Sequence, residues 1–255
     1  MEAEARGQAI GVNMNGVLVR VGVDASYGHW NAPVCSESGR FVYVPIPEKL
    51  GTPFNPGLER SYLEIVPSLE RFSADLGANI QFPAGLQEHP MHLDPDFKTL
   101  TYGDQGARRG ARMRDMKSGD LVVFYGGFRP IKPCKHRLIY ALLGLYVVDE
   151  VVRADDVHES RWGENAHTRK LKRGTPDIVV RAKPRVSGRL ENCITIGEWR
   201  DRAYRVTPEL LKKWGGLSVQ DGYIQRSAVP PAFSDPDRFY SWFLRQNVRL
   251  VARNN

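Results

Sequence analysis

The segment Met91-His92-Leu93-Asp94-Pro95-Asp96 sets a histidine and two acids within a few residues of one another. Side chains alternate along an extended chain, so His92 and Asp94 project to the same side. Such a pair can hold one substrate proton, or one metal ion, between them. A His-x-Asp pair with a distant second histidine is the ligand set of a non-haem iron centre, and His136, His158 and His167 are each available as that second histidine. The plainer reading is a hydrogen-bonded pair that contacts substrate or braces the fold; it needs no metal, and none is expected. An imidazole near its ordinary pKa suits general acid–base work at neutral pH, provided it comes within about 3 Å of a substrate atom. A second polar group follows the first predicted strand, in Asp24-Ala25-Ser26-Tyr27-Gly28-His29-Trp30. Asp24, Ser26 and Tyr27 could touch a ligand there, and an Asp/Ser turn closed by Gly28 explains the same residues. The catalytic candidates are therefore His92, Asp94 and Asp24. No nucleophile is legible, because Ser26, Cys134 and Cys193 lack a sequence-visible base partner.

The chain carries a formal net charge of +7 with a pI near 9.4, which favours a polyanionic partner, and nucleic acid is the commonest. The excess is concentrated in residues 108–114 and 161–189. Arg108, Arg109, Arg112 and Arg114 suit phosphate, since a guanidinium can hold two oxygens at once. A solvated helix face paired with Asp104 and Asp115 is the competing reading. The glycines of GDQGARRG do not make a P-loop, because the Gly-Lys-Ser/Thr end is missing, and no GxGxxG follows a strand. Arg129, Arg161 and Lys170 are further phosphate candidates. Trp162, set among Arg161, Arg169, Lys170, Lys172 and Arg173, has the aromatic-in-basic pattern used for single strands or a flipped base, or else anchors a loop. With Ser26, Tyr27, Trp30 and Tyr125 it makes up the expected base-binding set.

The elements that must position these groups centre on residues 118–150. Residues 121–124 (LVVF) form a run too short for a helix and suited to a strand buried on both faces. Residues 138–148 (LIYALLGLYVV) fit a buried helix by periodicity, but Gly144, the β-branched end and the Gly/Pro-rich basic loop before them favour the second strand of a hairpin. Further strands are expected at 16–23, 41–46, 177–182 and 193–196. Pro67 divides a short strand from a short helix within 59–76, and 105–116 can be a helix, weakened by Gly106 and Gly110 at about 1 kcal/mol each. Thr207-Pro208-Glu209 starts a helix over 208–214, and Ser234-Asp235-Pro236 starts the last, 236–248. The expected fold is a single α+β domain over 16–250, with a mixed, partly closed sheet of about eight short strands, for which a PUA-like barrel is one closure, and peripheral helices. Residues 1–15 read as a disordered lead-in. Three isolated cysteines, Cys35, Cys134 and Cys193, support neither a disulfide framework nor a zinc ribbon. No run approaches the roughly 20 apolar residues that span a bilayer, and the N-terminus lacks the apolar core of a signal peptide. A cytoplasmic protein without a membrane partner is expected.

Several segments in this order resemble the nucleotide modification associated domain family, third type, linked to modified DNA bases. They are Asp24-Ala25-Ser26-Tyr27-Gly28 with Pro33 and Pro45-Ile46-Pro47, then His92-Leu93-Asp94-Pro95-Asp96, then Gly106-Ala107, Gly119-Asp120-Leu121 and Gly127-Phe128-Arg129. The resemblance spans most of the chain. It implies action in nucleic-acid modification and makes Asp24, Ser26, His92, Asp94, Asp96 and Arg129 the candidate site positions. Separately, GDLVVFYGG is similar to strands of PUA and EVE barrels, which bind RNA or modified bases. Two functions follow. One is an enzyme that alters a base or nucleotide in DNA or RNA, with His92 or Asp94 as acid–base and Arg129, Arg108 and Arg109 on phosphate. The other is a reader that binds a modified base with Trp30, Tyr125 or Trp162 and does no chemistry. A blander third class is an interaction protein whose basicity is incidental. The sequence names no cofactor and no oligomeric state.

Overall fold

The computed structural model describes residues 14–26, 28–107, 110–174, 176–226 and 229–255. The chain opens with β1 (Gly16–Arg20) and the two-residue strands β2 (Pro33–Val34) and β3 (Ile46–Pro47). Helices α1 (Val66–Leu76) and α2 (Ala84–Gln87) lead to β4 (Met91–His92) and β5 (Thr101–Gln105). The short α3 (Ala111–Arg114) precedes the two long strands β6 (Leu121–Pro130) and β7 (Ile139–Arg153). Helix α4 (Ala166–Arg169) is followed by β8 (Asp177–Ala182) and β9 (Gly188–Thr195). The hairpin β10 (Gly197–Arg200) and β11 (Ala203–Val206), helices α5 (Pro208–Trp214) and α6 (Pro236–Arg245), and β12 (Leu250–Val251) complete the chain.

The fold is α+β, and β6 and β7 are its spine. Their antiparallel pairing matches Leu121 with Val147 and Phe128 with Ile139, so the predicted hairpin forms. β1 adds parallel to β6, whereas β8 and β9 both add antiparallel to β7, and β5 closes the row on β8. This mixed sheet does not close into a barrel, so the PUA-like closure does not form. Alternation along β6 sends Val122 and Phe124 into one core with Val17, Val19 and Phe97, and Leu121, Val123 and Tyr125 into another with Trp214, Phe239 and Trp242. Both faces are therefore covered, which is why residues 121–124 carry no polar side chain. Gly144 on β7 is a packing requirement, since a Cβ there would lie 2.5 Å from Phe97 Cε1.

Three local expectations change. Residues 105–116 are not one helix: β5 takes Thr101–Gln105 into the sheet, Gly106 N donates to Pro176 O, and only Ala111–Arg114 is helical. Pairing with β8 outweighs a helix propensity already lowered by two glycines. Of 41–46, only the end enters a strand, as β3; Pro45 and Pro47 lack the N–H that a longer ladder would need. Pro67 lies in the first turn of α1, where its missing donor costs nothing, and a 3₁₀ turn with a Ser61–Glu64 capping box precedes it in place of a strand. Of the expected lead-in, residues 1–13 lie outside the described residues, while Asn15 N donates to Asp120 Oδ1 at 2.8 Å. Among the described residues, no helix is long and apolar enough to cross a membrane.

Candidate functional site

The site is assembled from four short pieces of chain. β3 and β4 pair with Ile46 opposite His92, so Glu48, just past β3, comes beside the imidazole. Its Oε2 accepts from His92 Nδ1 at 2.8 Å and also pairs with Lys170 Nζ at 2.8 Å. Asp94 follows β4 and is 7% exposed. Its Oδ1 accepts two N–H bonds, from Gly103 N on β5 and from Asn165 Nδ2, both at 2.9 Å. Asn165 is the N-cap of α4, and its Oδ1 accepts from His167 N at 2.9 Å. One amide thus fixes the carboxylate with its nitrogen and the start of the helix carrying His167 with its oxygen. His167 is turned by a 2.7 Å bond from Nδ1 to Asp177 Oδ2, at the start of β8.

The consequence is convergence. Asp94 Oδ2 lies 3.8 Å from His92 Nε2 and 3.8 Å from His167 Nε2. The two imidazoles meet edge to face with centroids 5.2 Å apart. His92, Asp94 and His167 offer ligand atoms that all lie within 4.8 Å of one another and, among the described residues, are the group that could hold a metal. Gly103 permits this: a Cβ there would sit 2.3 Å from His167 Cδ2 and 2.5 Å from Asn165 Oδ1.

Electrostatics separate the charge states. Burial pushes the Asp94 carboxyl up to about 7, against the His167 charge and the bonds from Gly103 and Asn165. Burial pushes His92 down to about 4, although its bond to Glu48 opposes the fall. Burial would also lower His167, but the Asp177 bond and the charges of Asp94 and Asp177 outweigh it and its pKa rises. Burial would raise Glu48; the bonds and charges of His92 and Lys170 prevail and hold it at about 2. Groups this close with environments that drive their pKa values apart are typical of reactive centres.

The cluster opens into a cleft of about 1100 Å³. Asp24, Ser26, His92, Asp94 and Lys170 all line it, as do His167, Arg20 and Arg226. The loop after β1 therefore does reach the His-x-Asp segment. Asp24 is held by Arg20 at 2.6 Å and accepts from Ser26 N, so the Asp/Ser turn and the cleft wall are the same residues. Tyr27, Arg108 and Arg109 lie outside the described residues.

Other expected residues fall elsewhere. Tyr125 cannot stack on a base: it is 0% exposed in the second core, and its hydroxyl donates to Ile224 O. Trp162 is pinned, with Nε1 bonded to Val157 O and Arg173 over its ring at 4.4 Å. Trp30 is half-buried against Phe82, and Arg161 pairs with Glu164 at 2.7 Å. Arg129 is exposed at the far end of β6, paired through its backbone to Pro33, and does not line the cleft. Asp96 is 1% exposed and bonded to Arg169 and Asn254. Of the three histidines open as partners of His92, the cluster takes His167. Glu48, Asn165 and Asp177 were not foreseen; their only signal is that each sits at the start of a strand or helix, or just past one.

The model of the family named nucleotide modification associated domain 3 matches residues 15–229. The chain belongs to that family. The matched span includes every residue of the cluster and of its supporting carboxylates, from Glu48 to Asp177. No curated protein and no solved structure matches the chain.

Proposed function

We propose that this member of the nucleotide modification associated domain 3 family is an enzyme that alters a base or nucleotide, with the reacting atom placed where His92, Asp94 and His167 converge. The observation that carries this reading is the convergence itself: one buried carboxylate oxygen facing two imidazole nitrogens at the foot of an open cleft. A purely structural carboxylate would spend both oxygens on donors, as Asp96 does on Arg169, Asn254 and Lys98 N. Asp94 keeps one oxygen for the cleft. With a pKa near 7 it can take or give a proton at neutral pH, while burial keeps His92 neutral beside it, well below the range that suits a general base.

The family, the net charge of +7 and the basic residues Lys170 and Arg226 at the cleft support a phosphate-bearing substrate. A base inside a duplex would have to leave its stack to reach the cluster. The reader alternative has less to stand on, because Tyr125 is buried and Trp162 and Trp30 are packed against protein. The test combines turnover with binding. His92→Ala is expected to abolish conversion of nucleosides in treated DNA or tRNA, while keeping salt-sensitive affinity for the nucleic acid. Full turnover in His92→Ala, or no turnover and no salt-sensitive binding in the unaltered protein, would overturn the proposal.

A further inference from the structure

We infer that His92, Asp94 and His167 form a binding site for one divalent first-row transition-metal ion, open to the cleft. This deepens the reading above and rests on it for what the ion would act upon, but not for the binding itself. Geometry carries the inference. The Asp94 Oδ2 to Nε2 separations of 3.8 Å exceed hydrogen-bond reach, so no proton bridges these atoms directly. An ion about 2.1 Å from each ligand sets them about 3.0 Å apart at a right angle and about 3.4 Å apart in a tetrahedron. Closing by about 0.4 Å around an ion meets the tetrahedral requirement for Asp94 against each imidazole, and about 0.8 Å the right-angled one.

The outer partners make a second, independent argument. Both ring Nδ1 atoms are engaged by carboxylates, His92 with Glu48 at 2.8 Å and His167 with Asp177 at 2.7 Å. With Nδ1–H as donor, each Nε2 presents its lone pair to Asp94. A metal ion at the point these three atoms share would take both lone pairs and the carboxylate oxygen as ligands. A carboxylate behind each ligating histidine is the usual orientation of metal-bound imidazole, and it raises the basicity of the ligand. Two imidazoles and one carboxylate select Fe²⁺, Co²⁺ or Zn²⁺ over Mg²⁺ or Ca²⁺. Three protein ligands leave the cleft side free for water or substrate, as reactive metal sites require. On this inference His92 and Asp94 are ligands, and proton transfer falls to groups bound at the free positions.

The full chain, stripped with a chelator, would be titrated with Co²⁺, Zn²⁺ and Mg²⁺ by calorimetry and visible absorption, and with Fe²⁺ anaerobically. One Co²⁺ per chain is expected, with ligand-field absorption, displacement by Zn²⁺ and no response to Mg²⁺. Melting is expected to rise by about 5–10 °C at a hundredfold excess over Kd. Asp94→Asn is expected to lose at least about a hundredfold in affinity, and Asp177→Asn about 10- to 100-fold. If circular dichroism shows Asp94→Asn unfolded, His92→Gln, at a less buried side chain, carries the same test. Absence of binding to the unaltered protein, or equal binding by folded variants, overturns the inference. Metal bound at the cluster with no base ever altered would instead overturn the functional reading and leave the site standing.

Discussion

Gly103→Ala is the smallest change that should dismantle the cluster without touching a reacting group. The added methyl would begin 2.3 Å from His167 Cδ2, 2.5 Å from Asn165 Oδ1 and 2.9 Å from His167 Cγ. Carbon–carbon contact needs about 3.5 Å or more, so something must move by about an ångström. Neither neighbour is free to give. His167 is tied to Asp177 at 2.7 Å, and Asn165 to Asp94 and His167 N at 2.9 Å each. The backbone cannot recede either, because Gly103 pairs with Val179 on β8 and its N–H holds Asp94. Overpacking of this kind costs about 1–3 kcal/mol of stability. Misplacing a reacting group by about 1 Å costs about a hundredfold in rate. Urea denaturation and single-turnover conversion, compared in the same preparation, should therefore show a folded protein, modestly destabilised and nearly inactive. A Gly103→Ala protein with full activity would refute the reasoning, since the methyl and the observed His167 ring cannot share the space.

Three further changes probe separate parts of the account. Asn165→Ala removes both the cap of α4 and a donor to Asp94; it should cost about 1–3 kcal/mol by denaturant titration and lower activity more than stability explains, whereas unchanged activity would show that the amide does not position Asp94. Arg169→Ala strips the buried Asp96 of its 2.5 Å partner, and should cost about 3–5 kcal/mol; a loss under about 1 kcal/mol would show that this ion pair does not hold the fold together. Trp199 is 58% exposed on β10 against Tyr204, which stacks on Tyr140, itself bonded to cleft residue Arg20. Trp199→Ala should weaken single-strand binding in anisotropy titrations by about 1–3 kcal/mol with no change in melting, and equal affinity would remove this hairpin from the interface.

The spine of the fold was legible because residues 121–124 are too short an apolar run for a helix, and because Gly144, a β-branched end and the preceding Gly/Pro loop favour a strand over a buried helix for 138–148. Helices α5 and α6 were legible from their caps, Thr207 and Asp235, each followed by proline at the first helical position. Strand β5 was not, because Thr101–Gln105 enters the sheet by long-range pairing with β8 and carries no period of its own. In the site, His92 and Asp94 announced themselves by spacing, and His167 was one of three open partners. What chose it lies far off in sequence: Asn165 reaching Asp94 across 71 residues, and Asp177 turning the ring. The aromatics misled for a related reason. Tyr125 follows an apolar run and continues its alternation into the core, and Trp162 is held by Arg173, so aromatic character in a basic segment served packing.

The most direct test of the central claim is nucleoside mass spectrometry on DNA and tRNA from cells expressing the protein or its Asp94→Asn variant, with the variant's fold verified by circular dichroism. The account predicts a nucleoside of altered mass with the unaltered protein and none with Asp94→Asn. The same altered nucleoside in both, or in neither, would contradict a reaction centre at His92, Asp94 and His167.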